Sequence, residues 1–281
     1  MRTFVSAVAV ILGLMLAAVA VPAMWIDRNI VQEDGFVQLA APLGKQPEFQ
    51  QRLAAAAVSS FAPTEQMSQF LSDGVRPVLE AAATSLAGLP GYPAAWEETL
   101  RRSHRLSFSD PSTLPAEASA STSLTLDVAP LVGLLTRQIS DATGLPLTAP
   151  EQTLIHIGQS GQRELLQNLA AYAPMGSAMA GVSALALLLA LVTARRRWLV
   201  LVVTGLGGLL LAALWNVGTN TAAAAASATP FNNPVAEIFK NELITASSVS
   251  FGQWIAMSFW VAGFLLLAGI VLGIFSRRRQ A

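Results

Sequence analysis

The sequence contains no cysteine and only two histidines, and its charged residues make up 12% of 281 positions. The absence of cysteine excludes disulfides, thiol catalysis, and zinc or iron–sulfur sites with cysteine ligands. A soluble globular protein usually has about a quarter of its residues charged, so the low charge excludes an ordinary cytosolic protein. The 17 basic and 17 acidic residues cancel. Because no basic excess is available for a phosphate backbone, nucleic-acid binding is not expected.

Long apolar runs fill the places where charge is missing. About 20 apolar residues, wound as a helix, match the hydrocarbon thickness of a bilayer. Four runs of that kind lack Asp, Glu, Lys, Arg and His, at about 3–24, 175–194, 198–215 and 254–275. Aromatic residues typical of the headgroup level stand at their ends: Trp25, Tyr172, Trp198, Trp215 and Trp254. The sequence therefore predicts a mainly α membrane protein with four transmembrane helices.

The arginines predict the orientation of these spans. Seven of them lie in short segments without any acid, at Arg2, 195–197 and 277–279. The other ten cations and all 17 acids lie in 25–174 or 216–253. Short segments rich in arginine stay cytoplasmic, so both termini are expected inside the cell and 25–174 outside it. The predicted organisation is an anchor at 1–24, an extracytoplasmic domain at 25–174, and a three-helix transmembrane bundle at 175–281.

The first span has an alternative interpretation as a cleaved signal peptide. Ala18-Val19-Ala20 resembles a signal-peptidase site, and cleavage there would leave three spans. However, the apolar run is longer than the usual signal core of about 7 to 15 residues, and it continues to Trp25. We therefore expect an uncleaved anchor.

The extracytoplasmic domain is predicted to be helical with a small sheet, an α+β arrangement. Trp96, Leu100 and His104 recur every four residues and so share one face of a helix. The alternation at 124–128 indicates a half-buried strand, and 153–157 is a second candidate. Further helices are predicted at 47–61, from Thr64 to Leu79, at 130–142, and from a Ser160 cap through Leu169.

The second outer segment, 216–253, is predicted to start as a loop and to continue as an amphipathic helix from Pro234. Val235, Ile238 and Phe239 form one apolar face of this helix, which Leu243 can extend. The helix either lies on the outer leaflet or docks beneath the extracytoplasmic domain. Docking is favoured because a membrane-surface helix usually carries more Lys and Arg.

Motifs that would identify a reaction are missing. Neither G-x-S-x-G nor S-x-x-K occurs, and the stretch 158–161, with Ser160, has the spacing of a capped helix start. His104 and His156 are 52 positions apart without cysteine or a second nearby histidine, so a metal site is not expected. The pairs Glu33-Asp34 and Glu97-Glu98 point about 100° apart on a helix and suit solvated faces. We assign no catalytic, cofactor-binding or metal-binding residue.

The predicted spans carry packing signals but no transport chemistry. Ion-coupled transporters and proton relays usually place ionisable groups in their spans, so the absence of such groups disfavours an autonomous pump. Gly269-x-x-x-Gly273 and Ser177-x-x-x-Gly181 permit close helix contact, here expected within one bundle.

Several short motifs resemble landmarks of poorly characterised actinobacterial integral membrane proteins. These are Trp25-Ile26-Asp27-Arg28, Asp34-Gly35-Phe36-Val37, Pro42-Leu43, Trp96 followed by Arg101 and His104, and the 124–128 strand running into Pro130-Leu131. Two motifs depart from that group, since Glu33-Asp34-Gly35 replaces its Asp-Thr-Asp and Thr99-Leu100-Arg101 replaces its Ala-Asn-Arg. The resemblance implies one span, an outer domain and three further spans, and it brings no established activity.

Three functions are compatible with this organisation. The first is a non-enzymatic cell-envelope protein, embedded in the lipid bilayer, whose outer domain contacts a membrane-protein or envelope partner. The second is the handling of lipid or another apolar substrate between outer domain and bundle. The third is an extracytoplasmic hydrolase built on carboxylates that are distant in sequence.

Overall fold

The computed structural model describes residues 2–60, 88–109, 124–144, 146, 148–157, 162–231 and 233–278. Contacts divide the chain into two compact units. We call the first the bundle unit; it comprises Met1–Arg28, Ala171–Ala226 and Ser247–Ala281. We call the second the Trp96 unit; it comprises Asn29–Ala170 and Ser227–Ala246. The predicted helix from Thr64 to Leu79 and the Ser160 cap lie outside the described residues.

Helices dominate the described residues, as predicted. The helices are α1 Arg2–Ile26, α2 Glu33–Ala40, α3 Pro47–Ser60, α4 Tyr92–Phe108, α5 Ala129–Thr143, α6 Gln162–Tyr172, α7 Met175–Thr193, α8 Arg197–Ala228 and α9 Pro234–Arg278. A π-helical turn, Asp27–Val31, follows α1, and a 3₁₀ helix, Ala41–Lys45, follows α2. The strands β1, Leu124–Asp127, and β2, Leu154–Ile157, pair antiparallel with Leu124 opposite Ile157. The strands and helices predicted in the described parts of 92–172 are thus confirmed.

Among the described residues, four stretches are long and apolar enough to cross a membrane. They lie in Arg2–Val31, Arg163–Thr193, Arg197–Ala228 and Pro234–Ser276. Large apolar side chains on these helices are exposed, including Phe4 at 74%, Phe264 at 72% and Trp260 at 81%. Continuous apolar surface of this kind is costly in water and favourable in lipid. The prediction of four membrane-spanning helices is therefore supported by both length and surface.

Small residues let α8 and α9 approach closely in the bundle unit. A Cβ at Gly269 would lie 2.7 Å from the Val202 nitrogen, and one at Gly205 would lie 2.6 Å from the Leu266 nitrogen. The predicted role of Gly269 in close packing is confirmed, with Gly273 against the Trp198 ring. The same role for Gly181 is wrong, because a Cβ there would meet no atom within 4 Å.

Hydroxyl groups and another glycine join α1 to α7. Ser6 Oγ donates to the Ala190 carbonyl at 2.9 Å, and Ser183 Oγ donates to the Gly13 carbonyl at 2.7 Å. Such interhelical hydrogen bonds satisfy polar groups that lipid cannot satisfy. At Gly176, a Cβ would be 2.8 Å from the Met24 nitrogen, so the two backbones are nearly in contact.

Two of the tryptophans expected at the headgroup level bond inside the bundle unit. Trp25 is buried, donates from Nε1 to Ser250 Oγ at 3.1 Å, and packs on Phe251. Trp215 Nε1 donates to the Ala18 carbonyl at 3.0 Å. Their indole nitrogens therefore contribute to packing between helices.

The predicted loop at the start of 216–253 is wrong. Helix α8 continues through this segment to Ala228. The physical reason is that Ala222–Ala226 consists of the residue with the highest helix propensity, which outweighs the polar residues before it. Helix α9 begins at Pro234, as predicted, and continues beyond the amphipathic segment to Arg278.

Trp96 lies at the centre of the second unit's core. Trp96, Leu100 and Phe49 are completely buried. The apolar face predicted for the start of α9 joins this core, since Val235 is 2% and Phe239 7% exposed. Trp96 packs edge-on against Phe49 and Phe239, with ring centroids 5.2 and 5.8 Å away. The docked placement is thus the one observed.

Candidate functional site

Helix α4 has one buried face and one charged face. Trp96, Leu100 and His104 lie on the buried face, as the spacing predicts. Arg101 lies off that stripe and is 3.1 Å from Asp34 and 3.7 Å from Glu33. The hydrogen bond to Asp34 raises the pKa of the Arg101 guanidinium. Trp96, Arg101 and His104 consequently do not converge on one small substrate.

His104 is held by a backbone carbonyl and by aromatic rings. Its Nε2 lies 3.0 Å from the Ile30 carbonyl oxygen, which can only accept, so Nε2 carries the hydrogen. The imidazole stacks on Phe108 with centroids 4.3 Å apart and lies near Phe36. Burial lowers the pKa of His104 from its ordinary value, although the Ile30 hydrogen bond opposes this shift. The neutral ring is therefore the form that the fold favours.

This burial predicts a pH dependence of stability. Because the pKa of His104 is lower in the folded chain than in the unfolded chain, the contribution of His104 to the free energy of unfolding is fully present above the unfolded-state pKa of about 6.5. This contribution is lost as the pH falls below that value, because the unfolded chain then binds more protons than the folded chain. Glu33 and Arg105 have opposing, smaller effects on this pKa. We expect His104→Gln, which can still donate to Ile30, to cost about 1 kcal/mol at neutral pH through lost ring contacts.

Urea unfolding of the full chain in detergent, followed by circular dichroism, measures both effects. The free energy of unfolding of the wild type should decrease between about pH 6.5 and pH 5, and the His104→Gln variant should show a shallower decrease. Equal pH slopes for the two proteins would contradict this assignment.

Asp127 is a structural anchor that the sequence did not single out. It is buried at the end of β1, where its Oδ1 accepts from the Ala129 nitrogen at 3.0 Å and the Thr153 nitrogen at 3.1 Å. Its own nitrogen donates to Ser103 Oγ. The available signal was an aspartate two residues before a helix start, the spacing of an Asx turn. Asp127 thereby joins β1, α4, α5 and the segment before β2.

The carboxylate pairs noted in the sequence face arginines. Glu98 Oε1 is 2.8 Å from Arg102 Nε and 3.8 Å from Arg105. Glu33 lies 3.7 Å from Arg105 as well as from Arg101. Exposed pairs of this kind contribute little to stability, so their effect is to define a charged surface on α4.

A groove runs between α4, α5 and the 149–151 segment. Its volume is about 700 Å³, within the range of ligand-binding pockets. Small and apolar residues form its walls, and charged residues of both signs line it: Ala94, Ala95, Pro130, Gly133, Leu134 and Pro150, with Glu98, Arg102, Arg137 and Glu151. The groove is formed by residues that are distant in the sequence, so no sequence motif predicted it.

Arg102 lines this groove and reaches beyond α4. Its Nη1 lies 3.3 Å from the Glu151 carbonyl and 3.7 Å from Asp127 Oδ2. The hydrogen bond to Glu98 raises the pKa of Arg102, so the cation is maintained. Arg102 therefore connects α4 to both β1 and the 149–151 segment.

Within the described ranges, no group of three or more His, Asp or Glu side chains is arranged to hold a metal ion. The backbone of His156 lies in β2 opposite Thr125. The motif at 158–161 lies outside the part of the chain that is described. His104, the other histidine of the chain, contacts aromatic rings and the Ile30 carbonyl.

Neither models of protein families, nor curated proteins, nor solved structures match this chain. The resemblance to actinobacterial membrane proteins stays a prediction.

Proposed function

We propose that this protein is a non-enzymatic cell-envelope membrane protein that binds an extended segment of a partner protein in the groove between α4 and α5. The observation that carries the proposal is the groove itself. Its volume of about 700 Å³ suits a few side chains.

The chemistry of the walls favours a peptide. Gly133 and Ala94 leave space for a backbone to approach, and Leu134 offers apolar contact. Glu98 and Arg137 supply both signs of charge, which suits a polypeptide better than a polyanion.

The polar groups beside the groove favour binding over catalysis. Asp127 Oδ1 already accepts two backbone hydrogen bonds, and Glu98 is bound by Arg102. A general base needs an oxygen or nitrogen free to take a substrate proton. His104 does not line the groove, because its ring is packed against Phe36 and Phe108.

The proposed orientation places the groove outside the cell. Arg2 and 195–197 lie at the ends of spans, and segments with such arginines stay in the cytoplasm. The Trp96 unit, which contains the acidic residues 33 and 98, is then extracytoplasmic, and the bundle unit crosses the cell membrane.

One experiment tests orientation and binding together, because the chain has no cysteine of its own. Single cysteines replace Ala94, which is exposed in the groove, and Arg196. Intact cells are treated with a membrane-impermeant maleimide that carries a photo-crosslinker. We expect Ala94→Cys to be labelled and, after irradiation, to give a discrete protein adduct, while Arg196→Cys stays unlabelled.

Two further variants provide controls. Gln138→Cys, exposed on α5 but not lining the groove, should be labelled without giving the adduct. Gly133→Leu in the Ala94→Cys background should fill the groove and reduce the adduct at least about tenfold, an effect of steric exclusion. Labelling at Arg196→Cys alone would refute the orientation. Equal adducts from the groove and control positions would refute binding there.

A further inference from the structure

A second cavity lies in the bundle unit, where α1 meets the turn between α7 and α8. Its volume is about 570 Å³. The lining is apolar over most of its length, formed by Ala7, Val10, Ile11, Leu199, Val200 and Val203. Ile11 is 58% exposed and Val203 42% exposed, so the crevice opens to the outside of the bundle, where lipid surrounds spanning helices.

Two arginines stand at one end of this crevice. Arg195 and Arg196 line it, are exposed, and form the bend that separates α7 from α8. Within the described residues, neither guanidinium has a carboxylate or other side-chain partner. None of the residues lining the crevice is acidic. The two positive charges are thus available to a ligand.

We propose that this crevice is a binding site for one anionic phospholipid. An acyl chain lies against the apolar walls, and the headgroup phosphate meets Arg195 and Arg196. Guanidinium groups bind phosphate oxygens bidentately, and basic pockets between spanning helices suit anionic headgroups. This crevice lies in the bundle unit and shares no residue with the groove near α4.

The headgroup charge and the acyl chain contribute separately to the binding of the phospholipid, so each contribution is tested with its own variant. The variant Arg195→Gln/Arg196→Gln removes both charges and keeps the walls. Each basic residue near anionic lipid contributes roughly a fivefold gain in affinity, so the double variant should bind about 30-fold more weakly. Ala7→Phe keeps both arginines and fills the crevice with a ring, and it should also weaken binding about tenfold or more.

Matched controls change charge or size elsewhere. Arg28→Gln/Arg105→Gln removes two exposed arginines that line neither the crevice nor the groove near α4. Val8→Phe adds a ring beside Ala7 on a residue that does not line it. Both controls should bind lipid as the wild type does. Thermal unfolding of every variant in the same detergent verifies folding.

Native mass spectrometry of the full-length protein, titrated with phosphatidylglycerol, measures binding. We expect one tightly bound phosphatidylglycerol, no such species with phosphatidylcholine, and weak binding of glycerophosphate, which has the headgroup charge without acyl chains. Equal binding of phosphatidylcholine would overturn the role of charge, and equal binding of glycerophosphate would overturn the role of the tail.

Other outcomes would also overturn the proposal. Wild-type affinity in a folded Arg195→Gln/Arg196→Gln variant would exclude these arginines as the headgroup site. A wild type indifferent to phosphatidylglycerol, with both crevice variants changing the oligomeric mass, would assign the crevice to a protein helix instead.

Discussion

Trp96→Ala is expected to destabilise the Trp96 unit by about 3 to 5 kcal/mol, a large share of the stability of a single domain. Trp96 is completely buried, and its Nε1 donates to the Ala40 carbonyl at 3.1 Å. Truncation removes this hydrogen bond, leaves a cavity against Phe49 and Phe239, and frees the space beside Gly44. The measurement is urea unfolding of the purified full chain, followed by far-ultraviolet circular dichroism.

Two variants separate the causes of this loss. Trp96→Phe keeps a ring in the core but loses the bond to Ala40, and it should cost less than Trp96→Ala. Trp260→Ala removes a tryptophan that is 81% exposed on α9 and should leave the unfolding midpoint nearly unchanged. If Trp96→Ala unfolded at the same urea concentration as Trp260→Ala, the central position of Trp96 would be wrong.

Gly205→Val should separate α8 from α9 in the bundle unit. The Cβ at position 205 would lie 2.6 Å from the Leu266 nitrogen and 2.8 Å from the Ala262 oxygen. Both obstacles are backbone atoms, which cannot rotate away as a side chain can. We expect a loss of about 3 kcal/mol, at the upper end for overpacking, measured as a lower thermal unfolding midpoint in detergent.

The same substitution at two open glycines is the control. A Cβ at Gly218 of α8 or Gly263 of α9 would meet no atom within 4 Å. Gly218→Val and Gly263→Val therefore carry the same change in helix propensity without the clash. A midpoint for Gly205→Val within a degree or two of these controls would show that α8 and α9 do not pack closely there.

Helices and strands that are determined by neighbouring residues in the sequence were predicted correctly. The spans followed from runs without charge, and the buried stripe of α4 followed from the four-residue spacing of Trp96, Leu100 and His104. The strand at 124–127 followed from alternation, and the start of α9 followed from Pro234. In each case one physical rule, either helical or strand periodicity or a proline at a helix start, determines the outcome.

Features that depend on distant residues were not predicted. The groove requires Ala94 of α4 and Gly133 of α5, which are 39 positions apart in the sequence, to line the same space. The role of Asp127 requires Ser103 and Thr153, which lie 24 and 26 positions away, to be in place. The loop expected at the start of 216–253 was wrong for a different reason, since the high helix propensity of Ala222–Ala226 extends α8 to Ala228.

The position of Phe239 in the Trp96 core also determines when that core can be completed during synthesis. Phe239 and Val235 follow residue 170, the end of the main segment of that unit, by more than sixty positions. A ribosome adding about 5 to 20 residues per second reaches them several seconds later, after α7 and α8 have been made. Until then the Trp96 ring lacks one of its two edge-on aromatic neighbours. Core completion therefore follows the synthesis of two spanning helices, and a fragment ending at residue 174 would leave this apolar surface uncovered.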